Sequence, residues 1–141
     1  MSSTSSTSFR INSRAKRALT ERAAHEHISA TALLERLITE GIRQLDHPGI
    51  TFRGPENDRR AALAAGPDVW EVVGRLSELD GSAEHRIALL ADEVELHPRL
   101  IRLAVDYAAA YRDEIEERIE SNRAAATAAR QAVENRQALL A

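Results

Sequence analysis

The chain has 141 residues, no cysteine, 43% hydrophobic and only 4% aromatic residues, and a formal charge of −3. A chain this short builds one ordinary domain or two small ones, which leaves no room for a large catalytic core. Without cysteine there is neither a disulfide framework nor a thiolate metal site, and no apolar run is long enough for a signal peptide or a membrane span, so a cytoplasmic location is expected.

Ser2 to Ser8 is nearly all Ser and Thr and reads as an arm with too little apolar surface to offset ordering. Through Thr7, Ser8, Phe9, Arg10 and Ile11 the pattern alternates, predicting a short strand with Phe9 and Ile11 on one face and Ser8 and Arg10 on the other. Such a strand is too short to stand alone.

Asn12 or Ser13 can cap a helix from Arg14 that carries Ala15, Ala18, Leu19, Arg22 and Ala23 at helical spacing and ends near His25 to Ile28. Ser29 caps a second helix, whose stripe of Leu33, Leu34, Leu37, Ile38, Ile42 and Leu45 lies largely opposite Glu35, Arg36, Glu40 and Arg43 and stops near Asp46. The charge is uneven: residues 1–47 hold seven Arg or Lys against five Asp or Glu, and the remainder twelve against seventeen. A basic head on an acidic body fits two different partners.

The pattern changes at His47-Pro48-Gly49, the expected module boundary. Ile50–Arg53 and Arg59–Leu63 read as a hairpin around Gly54-Pro55-Glu56-Asn57-Asp58. Asp68 and Glu71 form a capping box for a helix with Val69, Trp70, Val72, Val73 and Leu76, ended by Asp80-Gly81-Ser82. Trp70, Tyr107 and Tyr111 read as core aromatics, and Arg59 and Arg60 as charges protecting a hairpin edge. A helix over Ala83–Val94 is followed by His97-Pro98, which starts one more helix carrying Ile101, Ala104, Val105, Ala108, Tyr111, Ile115 and Ile119. Asp113, Glu116, Glu117 and Glu120 lie on or beside its other side. Residues 120–141 form a tail that is helical or becomes ordered on a partner.

A strand without a partner, followed by two helices sharing an apolar face, calls for a second copy of the chain. Two strands then lie antiparallel, and Phe9 and Ile11 close onto a dimer core with Leu19, Leu33, Leu37 and Ile38. Ser6, Ser8 and Arg10 are shown on the outer face, where a two-stranded ribbon fits the major groove of DNA. Arg14 and Lys16 are candidates for phosphate contacts. The five histidines are scattered, no phosphate loop, nucleophile elbow or metal motif is present, and neither an enzyme nor a cofactor is expected.

With these residues in view, Ser8-Phe9-Arg10-Ile11-Asn12, a helix, and then Ile28-Ser29-Ala30-Thr31-Ala32-Leu33-Leu34 with Ile38 resembles the ribbon-helix-helix family of repressors and antitoxins over residues 5–46. The resemblance implies base reading by Ser6, Ser8 and Arg10, and a phosphate held by backbone N–H groups at Ser29 and Ala30. Family strands usually hold larger polar residues where this chain has serines. His47-Pro48-Gly49-Ile50, Phe52-Arg53-Gly54-Pro55, Arg59-Arg60-Ala61-Ala62-Leu63, Asp68 through Val73 and Tyr107 through Ile115 resemble a helix-turn-helix-like domain of unknown function in antitoxins paired with PIN-type ribonuclease toxins.

The expectation is therefore a mainly α protein: a ribbon-helix-helix dimerisation module at 1–46, a small helix-turn-helix-like module with a β-hairpin at 47–119, and a long C-terminal helix running into a tail at 120–141. Its partners would be operator DNA, a second copy (or a higher even number), and a toxin contacted by Tyr111, Asp113, Glu117 and Glu120. The alternatives are a stand-alone transcriptional repressor or plasmid-maintenance protein, and an adaptor whose strand only dimerises.

Overall fold

Asn12 Oδ1 accepts the Ala15 N–H at 2.8 Å and opens the first helix, α1, Ser13–His25. The computed structural model, which describes residues 3–141, continues with α2 (Ala30–Asp46), β1 (Ile50–Arg53), β2 (Arg60–Leu63), α3 (Val69–Glu78), α4 (Ala83–Val94), α5 (Pro98–Ala110) and α6 (Arg112–Leu140). The protein is mainly helical with one two-stranded antiparallel sheet among the described residues. It divides into two units, one up to residue 42 and one over residues 43–141, with the division falling inside α2.

In the first unit, residues 3–12 are exposed and belong to neither a helix nor a strand. The strand expected at Thr7–Ile11 does not form: these residues belong to neither of the two paired strands among the described residues. The α1–α2 connection is a Schellman turn: the N–H of Ile28 bonds to Ala23 O at 3.0 Å and that of His27 to Ala24 O at 3.2 Å, with His27 in the left-handed region at φ 57°. Ser29 Oγ then accepts the Ala32 N–H at 3.0 Å and caps α2. Ala23 and Leu33 are the buried apolar residues here, and Arg36 of α2 reaches back to Glu26 at 3.1 Å.

In the second unit, β1 and β2 pair with Ile50 opposite Leu63 and Phe52 opposite Ala61. The strand expected from Arg59 begins at Arg60, and the Arg59 side chain bonds to Gly54 O across the turn. Gly54 has φ 104°, and a Cβ there would lie 2.1 Å from Asp58 O, so the turn requires glycine. The Asp68–Glu71 capping box opens α3. Ser82 Oγ caps α4 by accepting the His85 N–H, and His97 Nδ1 caps α5 by accepting the Arg99 N–H at 3.0 Å, with Pro98 in the first helical position. Ile50, Leu63, Val69, Val72, Leu76, Leu90, Ile101, Ala104, Tyr107 and Ile115 form one core, and α3 packs against α5, α6 and the hairpin.

One helix is expected from Pro98 to Ile119, and the chain instead breaks at Tyr111 (φ −126°, ψ 49°). The break gives α6 a new direction, so that Ile115 enters the core and Ile119 packs close to Gly74 of α3. Beyond Ile119 every residue of α6 is exposed. Its alanines carry high intrinsic helix propensity, and Gln131 bonds to Asn135 one turn on at 3.0 Å. Among the described residues no helix is long and apolar enough to cross a membrane.

Candidate nucleic-acid and partner interfaces

The first unit holds most of the residues singled out for DNA and dimer contacts. Ser6, Ser8, Arg10, Arg14 and Lys16 are all exposed. Ser29 is exposed too, but its hydroxyl is committed to the cap of α2, next to the half-buried Ala30. The N–H groups and dipole of this helix end favour an anion.

The proposed dimer core splits in two. Leu33 is buried and Leu19 half-buried within the chain, whereas Phe9 is 79%, Ile11 51%, Leu37 52% and Ile38 49% exposed. Leu34 and Ile42 extend the outward face at 41% and 53%. Leu34, Leu37, Ile38 and Ile42 follow helical spacing, so they form one continuous stripe on α2. Leu33 is buried within the chain, and Arg36, three residues on, is held by Glu26 at 3.1 Å. That pairing went unnoticed in the sequence, where Glu26 and Arg36 stand ten residues apart with the turn between them. Arg36 and then Arg22 hold the Glu26 carboxyl at about 2, against the usual 4.5.

In the second unit, Asp113, Glu117 and Glu120 are exposed on α6 at spacings of four and three, and so share a face. Tyr111 does not join them. It is half-buried beneath Arg43, whose guanidinium carbon lies 4.0 Å from the ring centre, and beside Tyr107, with ring centres 4.7 Å apart. Arg43 also pairs with Glu114 at 3.1 Å and donates to the Tyr107 hydroxyl at 3.0 Å, and that hydroxyl donates to Glu114 at 3.2 Å. Burial, followed by the Glu114 charge, raises the Tyr107 phenol well above its ordinary value. Desolvation is the largest single influence on Arg43 and works against its charge, but the hydrogen bonds and charges of Glu114 and Tyr107 together outweigh it and raise the guanidinium above its usual range.

Trp70 is half-buried: it packs against the core, donates its Nε1–H to the buried Asp68 Oδ2 at 3.3 Å and lines a groove of about 340 Å³. Glu114, Glu117, Arg60 and Arg118 line the same groove. Its cations are engaged: Arg60 with buried Asp68 at 2.7 Å and with Asp58 at 3.1 Å, and Arg118 with Asp58. Arg118, then Arg60, hold the Asp58 carboxyl below its ordinary range. The two hairpin arginines thus turn to acceptors within the unit. Among the described residues no group of three or more His, Asp or Glu is placed to hold a metal ion.

Comparison with known proteins adds no family: no family model matches the chain, and no match is found among curated proteins or solved structures.

Proposed function

We propose that the chain is a cytoplasmic antitoxin that binds operator DNA as a ribbon-helix-helix dimer through its first unit and a toxin, of the PIN ribonuclease type, through α6. One observation carries this reading. Among the described residues, the first unit leaves Phe9, Ile11, Leu34, Leu37, Ile38 and Ile42 uncovered while burying only Ala23 and Leu33 fully. Large apolar groups gathered on so small a unit mark an association surface. A second copy covers that face when two Thr7–Ile11 segments pair, and the pairing supplies the hydrogen-bond partners that each segment lacks alone. Ser6, Ser8 and Arg10 then stand on the outer face of a ribbon sized for the major groove. The basic stretch around Arg14 and Lys16 supports phosphate contacts.

Sedimentation equilibrium of the full chain, with fluorescence anisotropy on the duplex upstream of its own gene, tests the DNA limb. The expected result is a dimer that binds this duplex in preference to scrambled sequence, with the preference lost in Arg10→Ala. A monomer at micromolar concentration, or an Arg10→Ala protein with unchanged preference, overturns it.

The toxin limb rests on the shared face of Asp113, Glu117 and Glu120 and on the uncovered remainder of α6. Co-expression with the product of the adjacent gene tests it separately: a stable complex is expected, and its loss on reversing those three charges. A repressor acting alone gives DNA binding without such a complex.

A further inference from the structure

The break between α5 and α6 has no local cause. Residues 99–140 contain neither Gly nor Pro, and the apolar spacing from Ile101 to Ile119 suits one continuous helix. The chain nevertheless turns at Tyr111, which precedes α6 without a side-chain cap bond. Helical bonding runs up to the Tyr111 N–H on Tyr107 O at 3.0 Å and resumes with the Ile115 N–H on Tyr111 O at 3.2 Å. The amides of Arg112, Asp113 and Glu114 therefore stand ahead of the first bond of α6. Where neither Gly nor Pro is present, a kink that forgoes helical bonds is imposed by a group from outside the helix.

The group that spans the break is Arg43. Its guanidinium sits on Tyr111 and bonds to the Tyr107 hydroxyl of α5 at 3.0 Å and to Glu114, in the first turn of α6, at 3.1 Å. The Tyr107 hydroxyl also donates to Glu114 at 3.2 Å, although seven residues of unbroken helix would advance about 10 Å between the two backbones. Ile119 against Gly74 and Arg118 on Asp58 hold α6 in its bent course farther on, but neither touches the break. We infer that Tyr111 is a hinge and that Arg43 is the latch that keeps it bent. With Arg43 withdrawn, the three amides rejoin the carbonyls of Ala108, Ala109 and Ala110, and α5 runs on into α6. Closure keeps Ile115 on the helix face of Ile101 and Ala108, so it does not turn that residue away from the core side. The bend fixes the direction in which α6 carries Asp113, Glu117 and Glu120, and Arg43 thereby positions that face for a toxin it does not itself touch, a step that rests on the proposed function.

Amide exchange followed by NMR on the full chain tests the hinge. In wild type the amides of Arg112, Asp113 and Glu114 should exchange faster than those of α5 and of the next turn of α6. In Arg43→Ala their protection factors should rise by about tenfold or more, with the Tyr111 Cα shift moving into the helical range. A merely destabilising substitution lowers protection throughout, so a gain confined to these three amides belongs to closure of the break. Glu114→Ala, at a side chain 51% exposed, cuts the α6 side of the latch and should give the same gain if Arg43→Ala does not fold. Unchanged or lowered protection at the three amides in the variant that folds overturns the hinge. With the product of the adjacent gene, the complex of Arg43→Ala should be weaker by about tenfold or more although the acidic face is untouched, and an unchanged affinity overturns the positioning role. Absence of a complex even with wild type overturns the toxin limb of the proposed function, and the exchange result alone then decides the hinge.

Discussion

Arg43 lies over Tyr111 with its guanidinium carbon 4.0 Å from the ring centre, and the same side chain bonds to Glu114 and to the Tyr107 hydroxyl. One arginine in the last turn of α2 therefore meets both sides of the break between α5 and α6. The aromatic stack is completed by His47, whose ring stands edge-on to both tyrosines at 5.3 and 5.8 Å.

Replacing Arg43 with Ala removes the cation from Tyr111 and strips the fully buried Tyr107 of one hydrogen-bond partner. The expected loss is about 1–3 kcal/mol in urea unfolding followed by circular dichroism. Arg43→Lys should recover only part of it, because an ammonium cannot stack on Tyr111 and bond to both partners in one plane.

Glu26 sets an acid limit on the α1–α2 hairpin. Its carboxyl is depressed from 4.5 to about 2 by Arg36 and Arg22. A depressed carboxylate contributes stability in full above its unfolded value, and that contribution is lost as pH falls through the folded one. Helix content and thermal stability of the wild type should therefore decline between about pH 4.5 and 2. Glu26→Gln should start less stable at neutral pH and show a flatter decline; an identical pH profile would contradict the pairing.

His27 occupies the left-handed position of the Schellman turn at φ 57°, where a Cβ is unfavourable. His27→Gly should stabilise the hairpin by about 0.5–1 kcal/mol, read as a raised melting temperature with an unchanged spectrum. A loss of stability would mean that the imidazole makes a contact worth more than the relief.

Leu37 and Ile38 are about half exposed in the single chain, at 52% and 49%. Leu37→Glu with Ile38→Glu should therefore leave the helical spectrum of the monomer nearly intact while abolishing self-association and, with it, DNA binding. Sedimentation velocity separates the outcomes: a variant that still dimerises places the interface elsewhere.

Several features were legible because they are local. Asn12, Ser29 and Asp68 with Glu71 marked helix starts through hydrogen bonds spanning three residues, Pro98 marked one through its fixed φ and missing N–H, and Gly54 marked a turn through its own backbone. The break at Tyr111 was not legible, since the apolar spacing from Ile101 to Ile119 satisfies one helix as well as two. Trp70 packs against the core as its Val-rich surroundings suggest, while its bond to buried Asp68 and its place on the groove were set by the tertiary fold.

By itself, the sequence determined which stretches become helix, where every helix but α6 begins, and that α2 carries a long apolar stripe. Those properties follow from short-range hydrogen bonding and periodicity. Only the tertiary structure decided which apolar side chains are covered and which are left out, and which charges find each other. Arg43 with Glu114, and Arg118 with Asp58, are joined by packing across sixty residues or more, and Arg86 is left without a match because no acceptor among the described residues is folded against its Nε.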